Sequence, residues 1–338
     1  ADISVLQDFA RTRSFDTAWF PGIGASDTNR YNILAAPYFY EGTRALLSDN
    51  AADYKARYKF YIEPATDNRP YYFHFFKWAT LPEVISLGRS GGAALIEWGY
   101  LILVATLLQA AVAGLVLILL PLACIKSTWP TGTGKRMGSY FLLLGFAFLF
   151  IEMAFIQKFI LFLSHPLYAV AVVLSGFLLF AGVGSAWSQS VERRVRSKRV
   201  TPVTLAVVGI ALLALAYLFL LPIVFENLIG LSDAVKIAIS VALIAPLAFC
   251  MGMPFPLGLS RVSKAAPDFV PWAWGINGFA SVVSAVLATL LAIRFGFNVV
   301  IVAALAMYLL ASAILRGRTK KNPLKKGPKA RKGPNFCA

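Results

Sequence analysis

Cysteine, histidine and charge are all scarce in this chain, and each shortage removes a class of protein. Three cysteines (Cys124, Cys250 and Cys337) and two histidines in 338 residues supply neither a disulfide framework nor the spacing of a metal site. Cys337 stands next to last, so it lacks the following residues that a prenylation signal needs. Charged residues make up 14% of the chain and hydrophobic residues 58%, against about 25% and about 45–50% in soluble globular domains. The opening residues, ADISVLQDF, form no signal peptide. They start without Met and in mid-pattern, as a piece of a longer protein would. No basic soluble domain interleaved with aromatics is present, which argues against a nucleic-acid partner.

What is abundant is apolar sequence, and it is unevenly placed. Residues 1–98 carry ten Lys/Arg and eleven Asp/Glu and read as soluble. Residues 99–315 are almost continuously apolar and break into runs near 99–124, 138–163, 166–190, 203–226, 234–257, 271–294 and 297–315. Each run has roughly the 20 residues needed to cross about 30 Å of hydrocarbon. Lipid offers backbone groups no partner, so spans of this length are helices. The expected fold class is therefore mainly α, a transmembrane bundle of about seven helices embedded in a lipid bilayer. Residues 316–338 are basic, rich in Pro and Gly, and free of apolar periodicity, as a disordered tail is.

The connections alternate in charge. Lys126, Lys135 and Arg136 lie in 125–137; Arg193, Arg194, Arg196, Lys198 and Arg199 in 191–202; Arg261 and Lys264 in 258–270; and nine Lys/Arg between Arg316 and Lys332. The other connections, at Ser164-His165, 227–232 and Arg294-Phe295, hold almost none. The positive-inside rule places the basic set, tail included, in the cytoplasm. A polybasic tail beside a span is also suited to anionic lipid head groups; the plainer reading is a flank that fixes topology. Seven crossings then put residues 1–98 on the other side of the membrane.

Several motifs read together carry a resemblance. They are RSFDTAWFPGI (13–23), NRYNILAAPYFYEG (29–42), PATDNRPYYFHFFKW (64–78), LIEWGYLILVATLLQA (95–110), FLFIEMAFIQKFILFLSHPLYAVAVVL (148–174), AGVGS (181–185), FCMGMPFPLGLS (249–260) and WAWGINGFASVVSA (272–285). Together they resemble the C-terminal part of the membrane-embedded, spermidine-synthase-like proteins of bacteria. The resemblance implies a longer parent in a bacterial inner membrane, with an upstream Rossmann-like domain of the S-adenosylmethionine-dependent aminopropyl- or methyltransferase type. It also implies that residues 1–98 hold a small α/β remnant of that domain. No G-x-G-x-x-G with its acidic partner occurs here, so no cofactor-binding residue carries over. S-adenosylmethionine, or its decarboxylated form, is expected only in the full-length parent. A nucleotide-type cofactor belongs in the cytoplasm, which sets this implication against the loop charges.

Two functions follow. In one, the bundle anchors the upstream transferase-like domain or passes its polyamine-like product. In the other, it is a transporter-like or sensing bundle without catalytic activity. The sharpest residue for either is Glu152, near the middle of a span, where an acid costs roughly 2.5–3.5 kcal/mol on an insertion scale. It reads as a proton or cation relay, or else as a hydrogen-bonded packing residue. Gln157 on the same helix is suited to a bond to a neighbouring helix. Tyr168 reaches toward Glu152 or sits in an aromatic belt. Asn277, among Gly275, Gly278, Ser281 and Ser284, packs helices closely or faces Glu152 as a polar ligand. Gly252, Pro254 and Pro256 either interrupt the fifth span, as in cavity-lining transporter helices, or end it. Lys158, Lys236 and Arg294 lie near helix ends and are expected to snorkel.

Overall fold

The computed structural model describes residues 2–89, 98–124, 133–195 and 201–316. Lys126, Arg196, Lys198, Arg199, Cys337 and the tail beyond Arg316 lie outside the described residues, as do the first residues of the 95–110 run. Two compact units are present. One runs to Leu101 without Asp67–Arg69; the other is Asp67–Arg69 together with the chain from Ile102 onward.

The first unit holds short helices: α1 (Ile3–Thr12), α2 (Tyr38–Leu46), α3 (Ala51–Arg57) and α4 (Leu81–Arg89). Asp2 starts α1 as an N-cap, its Oδ1 accepting the Ser4 N–H at 3.0 Å, which satisfies one of the donors a helix start leaves free. Two side chains organise the loops. The Asp16 carboxylate accepts the backbone N–H groups of Arg30, Tyr31 and Asn32 at 2.6–3.0 Å. The Lys77 ammonium donates to the carbonyls of Lys55, Ala56 and Tyr58 around the end of α3. Rings of Tyr61, His74, Phe76, Trp78 and Tyr100 cluster, with Phe76 stacked on Tyr100 at 5.4 Å. No strand occurs among the described residues. The α/β character expected of this segment is therefore not seen. Polar hubs and aromatic contacts hold its loops where a sheet ladder was expected.

The second unit is a helical bundle. Helix α5 (Trp98–Gly114) continues through a π-helical turn, Leu115–Leu119, into α6 (Leu120–Cys124). Then come α7 (Thr133–Leu163), α8 (Pro166–Arg194), α9 (Pro202–Leu228), α10 (Asp233–Met251), α11 (Pro254–Ala265), α12 (Val270–Phe295) and α13 (Phe297–Arg316). Counting α5 with α6 and α10 with α11, seven helices among the described residues are long and apolar enough to cross a membrane. They coincide with the seven runs of the sequence, because hydrocarbon length sets both.

Helix α7 is the core. It packs on α8, α12 and α13 and is the most enclosed of the seven, whereas the α5–α6 span is almost wholly exposed. Gly145 brings α7 against α12: a Cβ there would stand 2.6 Å from the Asn277 carbonyl and 2.7 Å from the Ala280 Cβ. Helices α8 and α10 approach as closely, since a Cβ on Gly184 would overlap the Phe249 carbonyl and one on Gly252 the Ala181 carbonyl. Small residues permit such backbone contact, the main source of helix attraction in lipid. Phe155 fills the space between α8 and α9, edge-on to Phe177 at 5.5 Å and Tyr217 at 6.0 Å.

The turns follow from local chemistry. Ser164 at φ 62° closes α7, and Pro166 opens α8 at its first position, where a missing N–H costs nothing. Gly296 joins α12 to α13 at φ 88°, a conformation that side chains resist. Asn68 covers this turn. Its carbonyl accepts the Phe297 N–H at 3.0 Å and its Oδ1 the Asn298 N–H at 2.9 Å. A residue distant in sequence thus caps the start of α13.

Candidate intramembrane polar site

Glu152 sits on α7 with 4% of its surface exposed, and its Oε1 is buried without a hydrogen-bond partner among the described residues. Such an atom loses its hydration with no replacement. A cavity of about 280 Å³ lies beside it, lined by Leu144, Gly145, Phe148 and Leu149 of α7, Met251 of α10, Pro254 and Phe255 of α11, Asn277 and Ser281 of α12, and Tyr308 of α13. Glu152 follows Leu149, Phe148 and Gly145 by three, four and seven residues, so it shares their face of α7. Glu152 is not itself a lining residue; Phe148 and Leu149, one turn before it, are. The Tyr308 hydroxyl is within electrostatic reach of Glu152 and of Tyr140.

The bend between α10 and α11 forms one wall. Helix α10 ends with Gly252 as its C-cap, and α11 opens at Pro254. Pro256 has no N–H to offer the Gly252 carbonyl four residues back. The Pro254 carbonyl accepts the hydroxyl of the fully buried Tyr140 at 2.5 Å. The Tyr140 ring lies against Gly258, where a Cβ would overlap it. Phe255 is held between Phe141 at 5.3 Å and Trp274 at 4.7 Å. The fifth span is thus interrupted and resumes, and its interruption borders the cavity.

The side chains singled out by sequence fare differently. Asn277 and Pro254 come together on the cavity wall, with Gly252 next to Met251, while Glu152 stands one turn beyond Phe148 and Leu149 and does not line it. Asn277 also ties helices: its Nδ2 donates to the Phe141 carbonyl at 3.1 Å, so packing and cavity lining coexist in one residue. Pro256 is half-buried in the first turn of α11 and does not line the cavity. Gln157 is half-buried and rotated roughly 140° from Glu152 about the helix axis, away from the site. Tyr168 does not reach Glu152. It is exposed in the first turn of α8 with its ring on His165 at 5.3 Å, and about 16 Å of rise separates Glu152 from the end of α7.

The lysines are enclosed by protein: Lys158 is 9% exposed and Lys236 is 6% exposed. Lys236 lies over the first turn of α10, 3.4 Å from Asp233. Lys158 is enclosed by the bundle, with Asp67 within electrostatic reach. Arg294 does stay exposed, its guanidinium 5.7 Å from the Phe295 ring centre. Sequence reasoning missed Tyr308 and Tyr140. The available signal was each hydroxyl's isolation on an otherwise apolar helix face.

No group of three His, Cys, Asp or Glu side chains suited to a metal ion occurs among the described residues. Gly22 lies in a turn and Gly24 caps a short 3-10 turn, so neither stands in a strand–turn–helix.

Fold and site together define a class: a polytopic helical membrane protein with, among the described residues, a buried acid one turn from the wall of a cavity. Comparison with protein-family models, curated proteins and solved structures finds no match to this chain.

Proposed function

We propose that the bundle is a transport-type membrane domain that binds a proton or small cation at Glu152 and passes it through the cavity beside α7. The observation that carries this reading is the buried Glu152 Oε1, without a hydrogen-bond partner among the described residues, on the most enclosed helix and one turn from residues that line that cavity. An acid kept at such depth is a functional site by default. An interrupted helix at the same place is what solute-passing bundles use to free backbone groups for ligands. Packing alone needs neither feature, since a Gln or Leu would fill the volume without the cost of a buried acid.

The motif resemblance extends the proposal. The chain is the membrane-embedded part of a spermidine-synthase-like protein of the bacterial inner membrane, and the cation is an amine product of an upstream transferase-like domain. Residues 1–98 join that domain to the bundle as a remnant of it. On this reading the sheet of that domain belongs to the upstream part of the parent.

Purified protein in vesicles with an entrapped pH dye tests the reading. Wild type is expected to carry protons down an imposed gradient and to exchange them for amines. Glu152→Gln is expected to lose at least tenfold of that flux with an unchanged melting curve. Equal flux in the two proteins would reduce Glu152 to packing.

A further inference from the structure

We infer that the α5–α6 span is a dimer seam, and that it is covered by the same span of a second copy of this chain. The span leaves its own bundle early. A Cβ on Gly275 would overlap Leu122 and stand 3.5 Å from Ile118, and one on Gly114 would stand 2.7 Å from the Phe279 ring. Helix α12 therefore holds α6 and the π-helical turn. Of α5, Gly114 alone is buried among the described residues. From Ile102 to Val112 the helix has little of its own protein around it.

That free length carries an order that lipid does not require. Ile102, Ala105, Gln109, Val112 and Val116 are all exposed, and their spacing alternates three and four. This is the heptad seam along which two helices pack side by side at a shallow, left-handed angle. Leu108 and Leu115, seven apart and also exposed, flank it. The deciding residue is Gln109. It follows the start of the span at Trp98 by about 16 Å of helical rise, which places it near mid-membrane. Its carboxamide is exposed and has no hydrogen-bond partner among the described residues. Lipid covers the apolar side chains of the seam at no cost, but it leaves an amide unsatisfied. A second helix supplies the partner. The exposed Thr106 hydroxyl, by contrast, already donates to the Ile102 carbonyl at 2.8 Å.

Symmetry selects a second copy as that helix. Copies of one chain insert in one orientation, so a two-fold axis relating them runs along the membrane normal and keeps every residue at its own depth. Gln109 then meets Gln109. A carboxamide both donates and accepts, so each Oε1 accepts the other's Nε2–H, and two reciprocal bonds satisfy the pair. Such an isologous contact uses one surface twice. A helix of another protein would have to bring its own polar group to this one depth. One polar residue in an apolar seam also fixes register. Ala105, one turn before Gln109 on the same stripe, leaves room for the backbones to approach. Leu107 lies about 200° from Gln109 around the axis, on the side of Gly114 and α12.

Disulfide trapping in native membranes is the test, with Cys124, Cys250 and Cys337 replaced and one cysteine returned at a time. Ile102→Cys, Ala105→Cys and Val112→Cys are expected to give a linked band of twice the chain's mass under mild oxidation, and Leu107→Cys none. Adding Gln109→Leu to Val112→Cys should cut the linked fraction at least threefold, and Gln109→Asn should retain most of it. Energy transfer between labelled copies in vesicles supplies a second measurement. Gln109→Leu should raise the protein density at half-maximal transfer at least threefold with an unchanged melting curve. No linked dimer at any seam position, equal yields at Leu107 and Val112, or a dimer indifferent to Gln109→Leu would overturn the inference. A band linking the chain to a different protein in place of the double-mass band would also overturn it and give the seam to another helix.

Discussion

Replacing Asn68 should loosen the start of α13 by an amount the geometry sets. The Asn68 Oδ1 accepts the Asn298 N–H at 2.9 Å, the role of an N-cap supplied from elsewhere in the chain. Removing such an acceptor costs about 1 kcal/mol, within a range of about 0.5–2. The Asn68 carbonyl, which accepts the Phe297 N–H at 3.0 Å, survives in Asn68→Ala, so the loss stays within that range. Gly296 supplies the second arm. At φ 88° and ψ 161° it occupies backbone space open essentially to glycine alone, which costs any other residue about 1–3 kcal/mol. A Cβ there would also overlap the Asn68 Nδ2. Gly296→Ala therefore bears strain and collision in the native background but mainly strain once Asn68 is alanine. The double variant should be less destabilised than the sum of the singles by about 1 kcal/mol or more, where independent sites add within about 0.5. Asn68→Asp keeps the acceptor and adds a negative charge at the positive end of a helix, worth about 0.3–1 kcal/mol, so it should equal or exceed wild type. Denaturant unfolding in micelles, with hydrogen exchange at the Asn298 amide, reads all four variants against wild type. Additive singles, or an aspartate less stable than the alanine, would refute the cap.

Three shorter predictions concern packing and pH. Gly184→Ala should cost about 1–3 kcal/mol and separate α8 from α10, because its Cβ lands on the Phe249 carbonyl; an unchanged melting temperature would contradict that approach. Tyr140→Phe should cost about 1 kcal/mol by freeing the Pro254 carbonyl, and cysteine cross-linking between α7 and α11 should then slow. Asp16 sets a pH limit on the first unit. Desolvation pushes its carboxyl up, but backbone N–H donation from Asn32, Tyr31 and Arg30 outweighs that and holds it below the ordinary Asp value. A depressed carboxyl stabilises above its unfolded value and loses that stabilisation as pH falls through the folded one. The amides of residues 30–32 should stay protected at neutral pH and open below the usual Asp range; protection indifferent to pH down to acid unfolding would refute this.

The legible part of this protein is the part that hydrocarbon dictates. Span length and apolar content act on consecutive residues, so the seven helices could be read directly, whereas Gly252, Pro254 and Pro256 left open whether the fifth span is interrupted or ends. Glu152 was legible for the same reason, as an acid that lipid would reject unless enclosed. What could not be read depends on contacts between distant segments. Asn68 gives no local sign that it caps Phe297 and Asn298. Lys158 and Lys236 look like snorkelling lysines because both lie near helix ends, yet neighbouring helices enclose them. Tyr168 and Tyr308 are equivalent by composition; only the fold puts the first at a turn and the second on a cavity wall. In the first unit, residues of strand-like composition such as Tyr58, Phe60 and Tyr61 are held by ring contacts and by Lys77, which no period in the sequence announces.

Orientation is where the two lines of inference meet, and it yields the last prediction. Arg136, Arg193, Arg194, Arg261, Lys264 and Arg316 lie at one end of the bundle's helices; the turns at Ser164, Gly230 and Gly296 lie at the other. Asn68 binds the Gly296 turn, so Asp67–Arg69 belongs to the end opposite the basic side chains. With seven spans no miscount of crossings relocates it. Cytoplasmic retention of positive charge predicts that Asn68 lies outside. In a background with Cys124, Cys250 and Cys337 replaced, Gly230→Cys should react with an impermeant maleimide in intact cells, since nothing stands within 4 Å of its added Cβ. Lys264→Cys, on a side chain 74% exposed, should react only after permeabilisation. The reverse pattern would turn the bundle over and put Asn68 in the cytoplasm. An upstream nucleotide-type domain requires that side, and the charge rule would then fail here despite its consistent signal across the loops.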